Sequence, residues 1–334
     1  MATLIDVAKA ANVSVATVSR HINRKGYISP QIKKRVRKAI HELDYKPNLV
    51  ARSLKLKRSK TIGLVFPSIE DPFFSFVISK AEQVANDHDY SVILCVTEYD
   101  LEKEKMYLSV LKDRFIDGYL ILPANTVDPD HYKVLEGDKV VFVDQSPGVA
   151  QEVCVKIDNV EGVKKGVEYL FECGHTRIGF INLPLEMTTG FERFEGVKKA
   201  YTDHNLPLNS NYIKFSDSQL RVEDGYKQTI ELLNAPDRPT AIFPMNGPLT
   251  IGALKAIKEM RLKIPDEISI IGFDDHVFAG LLDPPLTVVA QPVCDLGIIA
   301  METLIGNIRT KRIEPAKTIL SAKLIIRNSC KIIN

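Results

Sequence analysis

Apolar residues recur along this chain in two rhythms, and the change between them falls near residue 60. Before it, the spacing is helical. Leu4, Val7, Ala8 and Ala11 recur at intervals of three and four, Thr3 and Asp6 have the spacing of a capping box, and Asn12, tolerant of left-handed backbone, falls where the helix must stop. Ser14 caps a second helix that turns Val18 and Ile22 inward and leaves Val15, Ala16 and Arg20 outside near its start. So few residues separate the two helices that they must cross steeply, as in a helix-turn-helix. Gly26 supplies a turn, and Ser29 with Pro30 starts a third helix, with Ile32, Val36, Ile40 and Leu43 inside and Lys33, Lys34, Arg37 and Lys38 outside. A short fourth helix is predicted from Pro47 to Lys55. It is too short to hold by itself, and it exposes Leu54 beside Arg52 and Lys55.

From Lys60 the rhythm becomes that of buried strands alternating with amphipathic helices. Residues 61–66, 91–96 and 118–122 read as strands, with helices over 73–88 and 102–115 between them. The pattern restarts with strands at 177–181, 212–215, 241–244 and 268–273 and helices at about 190–204, 221–234 and 248–260. Such alternation implies parallel sheets covered on both faces. The expected fold class is α/β: an all-α helix-turn-helix head over 1–46, a hinge helix and linker over 47–59, and a body over 60–334 of two doubly wound lobes. One lobe takes about 60–158 and 290–320, the other about 159–289 and 321–334. Ligands bind beyond the carboxyl ends of the strands in such sheets, which here means the cleft between the lobes. Phe73 or Phe74, following the first strand, would give that cleft an aromatic wall.

Charge separates the same parts. Residues 1–60 hold 15 Lys/Arg and three Asp/Glu (Asp6, Glu42, Asp44), the remainder 29 and 39, so a total of +2 conceals a basic head on an acidic body. That is the signature of a nucleic-acid module joined to something that does not bind nucleic acid. Composition, 45% hydrophobic and 26% charged, is that of a soluble globular protein. The start lacks a basic and then apolar leader pattern and no run is long enough to span a bilayer, so a cytoplasmic location without membrane contact is expected. Five scattered cysteines without a CxxC pair argue for reduced, structural thiols. Phosphate-loop, nucleophile-elbow and dinucleotide-binding glycine motifs are absent, Asp274-Asp275 has no metal-ligand spacing around it, and His175, following the helix stop at Gly174, reads as structural rather than catalytic. The expectation is a non-enzyme without metal or cofactor.

In the head, the start of the second helix suits the major groove. Arg20 is placed to read guanine bidentately, Val15 and Ala16 to meet thymine methyls, and Ser14, Thr17, Ser19 and Asn23 to bind phosphates. Leu54 has two readings on spacing alone: a wedge entering the minor groove as its helix orders on DNA, or an apolar side chain packed on the body.

Three runs, Ile5-Asp6-Val7-Ala8, Val13 through Arg20, and Tyr45-Lys46-Pro47-Asn48 with Ala51-Arg52-Ser53-Leu54, closely resemble the head and hinge of LacI/GalR-type repressors. The likeness continues through the body in the run Asp266 through Asp275, in Asp283-Pro284-Pro285-Leu286-Thr287 and in Gln291-Pro292. It implies a homodimer with a two-lobed, periplasmic-binding-protein-like body, whose paired recognition helices read the half-sites of a palindromic operator while Leu54 inserts at its centre. The DNA-facing set is then Thr3, Ser14, Val15, Ala16, Thr17, Ser19, Arg20 and Asn23, with Asn48, Ala51, Leu54 and Lys55 from the hinge. The resemblance also implies effector contacts at Thr189, Arg193, Asn246, Asp274 and Gln291, groups that suit a polyhydroxylated ligand. Two departures stand out: Gly247 replaces a common Asp, removing one hydrogen-bonding arm, and the chain has no Trp on which a sugar ring would stack. The function expected is a repressor of carbohydrate-metabolism genes controlled by a sugar or sugar derivative, the alternative being control by a phosphorylated carrier protein. A solute-binding protein would share the body, but the missing leader and basic head speak against it.

Overall fold

The computed structural model describes residues 2–22, 26–45, 59–124, 128–149, 152–217, 221–310 and 315–333. Backbone proximity divides the chain into two compact units, residues 1–59 and 60–334.

The described part of the first unit holds helices α1 (Leu4–Ala10), α2 (Val15–Ile22) and α3 (Pro30–Glu42). Each starts where its cap requires. The Asp6 N–H donates to Thr3 Oγ1 at 3.3 Å while the Asp6 carboxylate accepts from the Thr3 N–H at 2.8 Å. Ser14 Oγ accepts from the Thr17 N–H at 3.1 Å, and Ser29 caps α3 with Pro30 in its first turn. Asn12 takes φ 50° and ends α1 as its side chain permits. Val7, Ala8, Ala11, Val18, Val36 and Ala39 form the buried centre, with Leu4, Ile22, Ile32, Ile40 and Leu43 packed around it. One clamp was not evident from spacing. Arg35 on α3 donates from Nε to Ala11 O at 3.0 Å and from Nη2 to Asn12 O at 2.6 Å, satisfying carbonyls that the end of α1 leaves without a helical partner.

In the second unit, β1 (Thr61–Phe66), β2 (Ser91–Val96), β3 (Gly118–Ile121), β4 (Val140–Val143) and β5 (Val153–Ile157) build one sheet. A second contains β6 (Ile178–Asn182), β7 (Ile213–Phe215), β8 (Ala241–Pro244), β9 (Ser269–Phe273) and β10 (Thr287–Ala290). The last two strands divide between them: β11 (Ala316–Leu320) joins the first sheet and β12 (Lys323–Ile325) the second. The orders are β11-β5-β4-β3-β1-β2 and β12-β10-β9-β8-β6-β7, the same plan twice. All pairings are parallel except β12 with β10, which is antiparallel, a departure from the all-parallel expectation at one edge.

Helices α4 (Pro72–Asp87), α5 (Leu101–Asp113), α6 (Asn159–Glu172), α7 (Thr188–Asp203), α8 (Val222–Leu233), α9 (Gly247–Glu259) and α10 (Val293–Thr310) cover the sheets. Their placement explains why strands such as β1 are apolar on both faces. Ile62, Leu64 and Phe66 pack in one cluster with Phe74, Val77 and Ala81 of α4, while Val65 points the other way onto Leu108 and Leu111 of α5. Strands β4, β5, β10, β11 and β12 and helices α6 and α10 occupy stretches where the apolar rhythm named no element. The chain passes between the lobes after β5, after β10 and between β11 and β12. In each sheet the order reverses at the first strand, β1 between β2 and β3 and β6 between β7 and β8. That opens a crevice at the carboxyl ends.

Candidate functional site

Into that crevice the two lobes send equivalent residues. Asp144 follows β4 and Asp274 follows β9, the matching strand of the other sheet, and both stand in left-handed backbone, φ 63° and 69°. Aspartate tolerates this conformation better than most side chains, and holding it there turns each carboxyl out of the strand's alternation.

All seven side chains expected to face an effector, Phe73, Phe74, Thr189, Arg193, Asn246, Asp274 and Gln291, line one cavity of about 40 Å³. Asp71, Tyr99, Asp144 and Gln145 complete its polar wall, with Leu122, Leu183 and Met187 between. Such a volume holds a few waters and falls well short of the roughly 300 Å³ at which ligand pockets begin. At this volume the cavity does not hold a sugar without rearrangement of its walls.

Each wall residue has a local reason for its position. Asp71 caps α4, its Oδ1 accepting from the Phe73 N–H at 2.9 Å, which sets Phe73 and Phe74 in the first turn with rings 5.3 Å apart and nearly perpendicular. Asn246 caps α9 through Oδ1, accepting from the Leu249 N–H at 2.8 Å, so its amide N–H groups are the part left for a ligand. Gln291 donates to Asp274 Oδ1 at 2.6 Å. Arg193 crosses the floor: Nε donates to Asn159 Oδ1 at 2.9 Å, Nη1 to Met245 O, and the guanidinium lies 3.9 Å over the Phe273 ring.

Burial dominates the electrostatics. It pushes the Asp71 carboxyl up to about 7, helped by the like charge of Asp274 and opposed by Arg193. It raises Asp144 to about 6, with Arg193 pulling the other way and Asp274 adding to the rise. The same burial lowers Arg193, against the support of Asp144 and Asp274. Sequence reasoning missed Asp71, Tyr99, Asp144 and Gln145. The signals for three of them were present, an Asp-Pro start to the helix after the first strand and a polar pair following the apolar run Val140–Val143.

The structure shows what fills the place of the arm missing at Gly247. A Cβ there would collide with the His276 ring, whose buried Nε2 has no hydrogen-bond partner among the described residues. Asp275 turns away from the cavity and pairs with Arg327 at 2.8 Å. His175 is structural: Nδ1 lies 2.9 Å from Thr240 Oγ1 and Nε2 3.1 Å from Lys331 O. Among the described residues no group of three His, Cys, Asp or Glu is arranged to hold a metal ion, and no helix is long and apolar enough to cross a membrane.

On the head, Val15, Ala16 and Arg20 stand exposed at the start and outer side of α2. Ser14 and Thr17 are joined at 2.9 Å, Ser19 is half-buried on the same helix, and Thr3 is exposed within its capping box. Lys33, Lys34, Arg37 and Lys38 are exposed on α3. Asn23, Asn48, Ala51, Leu54 and Lys55 lie outside the described residues.

Comparison with known proteins adds independent findings. The description "Bacterial regulatory proteins, lacI family" matches residues 3–48, and "Periplasmic binding protein-like domain" matches 167–330. The chain is 38% identical to the HTH-type transcriptional repressor PurR of Proteus mirabilis, over 98% of this chain and 97% of the relative. It is 36% identical to the ribose operon repressor of Halalkalibacterium halodurans, over 99% and 98%. Among solved structures, it is similar to the lac repressor dimer bound to operator and the anti-inducer ONPF, with TM-score 0.85, 26% identity and 99% of each chain covered.

Proposed function

Because the chain belongs to the lacI family of bacterial regulatory proteins, we propose that it represses carbohydrate-metabolism genes as a homodimer on a palindromic operator. Its hold on the operator is set by a polyhydroxylated effector in the inter-lobe cleft. The observation that carries the effector is the convergence of Thr189, Arg193, Asn246 and Asp274 from one lobe, Phe73 and Phe74 from the other and Gln291 on the passage between them on one cavity. Amides, carboxylates and a guanidinium each take two hydrogen bonds, which matches adjacent hydroxyls, and two phenyl rings cover the ring's apolar edge. Arg20, Val15 and Ala16 read bases. Thr3, Ser14, Thr17, Ser19 and Asn23 set the register on the phosphates, and Asn48, Ala51, Leu54 and Lys55 act in the hinge, with Leu54 as the minor-groove wedge.

Control then follows from linkage. An effector that binds the closed body better than the open one shifts the lobes by its differential affinity, and operator affinity changes reciprocally. The three passages between the lobes are where such a motion bends.

The test is operator binding by the full-length protein, titrated against free sugars, sugar phosphates and sugar acids, with a phosphorylated carrier protein as a separate arm. A small molecule that shifts operator affinity at least tenfold is the expected result. A response to the carrier protein alone would overturn effector control by the cleft.

A further inference from the structure

We propose that the cleft selects a polyhydroxylated ligand carrying a positively charged amino group and rejects phosphorylated and carboxylated sugars. This rests on the reading of the cleft as the effector site, and it concerns which chemical class that site accepts.

The first ground is the balance of fixed groups. Three carboxyls, Asp71 and Asp144 from one lobe and Asp274 from the other, line the cavity with a single guanidinium, Arg193. That guanidinium is already partly engaged by the protein. Two of its five N–H donors go to Asn159 Oδ1 and Met245 O, and its face lies on Phe273. A ligand phosphate or carboxylate would enter a space of about 40 Å³ already holding three acids against that one cation.

The second ground is independent of charge. Three atoms of cavity-lining residues are buried without a hydrogen-bond partner among the described residues: Asp144 Oδ1, Gln145 Oε1 and Gln291 Oε1. Asp144, Gln145 and Gln291 are 6%, 3% and 9% exposed, so water does not readily satisfy them. The amide orientations are not arbitrary. Gln145 Nε2 donates to Pro123 O at 3.1 Å and Gln291 Nε2 to Asp274 Oδ1 at 2.6 Å, which fixes both Oε1 atoms as the acceptors. Every orphan in the wall is thus an acceptor, and only a donor-rich ligand repairs them. Hydroxyls each bring one donor. An ammonium brings three and a charge as well, whereas a phosphate or carboxylate ligand brings acceptors where acceptors are already in surplus.

Closure strengthens the selection. Asp71 and Asp144 lie across the cleft from Asp274, and the like charge of Asp274 opposes the ionisation of both. Shutting the lobes on a cation relieves that repulsion, and shutting them on an anion adds to it.

The experiment is calorimetric titration of the full-length protein at pH 7 with matched sets: a neutral hexose and pentose, the corresponding amino sugars, their N-acetyl derivatives, their phosphates and their aldonates. The amino member of at least one set is expected to bind at least tenfold tighter than its neutral parent and its N-acetyl derivative. Phosphate and aldonate are expected to be weakest. In Asp144→Asn the amino preference should shrink to about twofold or less while neutral sugars still bind. Equal or tighter binding of every neutral parent overturns the proposal. So does tighter binding of a phosphate or aldonate, which would leave the effector reading of the cleft standing. No binding by any member at millimolar concentration overturns both.

Discussion

His276 occupies the space that a side chain on Gly247 would need. A Cβ built on Gly247 runs into Nε2 of the imidazole, and the ring is held there by stacking on Phe278, 5.2 Å away and 22° from parallel. The missing carboxylate arm at this position is therefore an exchange: a polar group from the segment after β9 stands beside the Asn246 cap instead. One residue's absence makes sense only through another's presence.

Gly247→Ala should destabilise the body by about 1–3 kcal/mol, the range for forcing a group into a packed site. Gly247→Asp combined with His276→Ala should recover at least half of the loss seen with Gly247→Asp alone. Urea unfolding of these variants and of His276→Ala alone measures it, and strict additivity would show that the two positions do not compete for one space.

Arg35→Ala removes the clamp on the carbonyls of Ala11 and Asn12. The hydrogen bonds are charge-assisted but partly solvated, so a loss of about 1 kcal/mol in the head is expected. Arg35→Lys should not restore it, because one ammonium does not reproduce the fork that reaches two carbonyls. Thermal unfolding followed by signals from the head reports both.

Asp71 and Asp144 make stability depend on pH. Their folded values of about 7 and about 6 lie above the ordinary 3.8, so between these limits the folded chain holds protons that the unfolded chain has released. Their contribution therefore falls as pH rises from about 4 towards the folded values, by about 1.4 kcal/mol per unit for each group titrating only in the unfolded state, and is flat above. Asp71→Asn should gain on the wild type as pH is raised from 5 to 7. Denaturant unfolding across that range checks it, and a constant difference between the two proteins would refute the assignment.

Arg20→Ala should cut the preference for cognate over scrambled operator by about tenfold to a hundredfold, the scale of one bidentate base contact, while affinity for scrambled DNA changes little. Competition binding at fixed salt gives the ratio. An unchanged ratio removes Arg20 from base reading.

The head was legible almost residue by residue because its signals are local. A capping box at Thr3 and Asp6, a left-handed stop at Asn12 and a Ser-Pro start at residue 29 each act within a few residues of where they are written. The same holds for strands such as Thr61–Phe66, whose burial on both faces leaves an unbroken apolar run. Strand β11 gave no such signal, since most of its side chains are exposed and its place at the sheet edge comes from pairing with distant β5. The cleft divides the same way. Resemblance to known repressors pointed to Arg193, Asp274 and Gln291, but Asp71 and Asp144 become partners of Asp274 only when two sheets from separate stretches of chain are brought face to face. Caps and periodicity are properties of neighbours in sequence, so the chain by itself determined the strongly patterned elements and the basic head. The acceptor-rich cavity, the raised carboxyls and the exchange of His276 for a side chain at Gly247 are properties of neighbours in space, and only tertiary packing decided them.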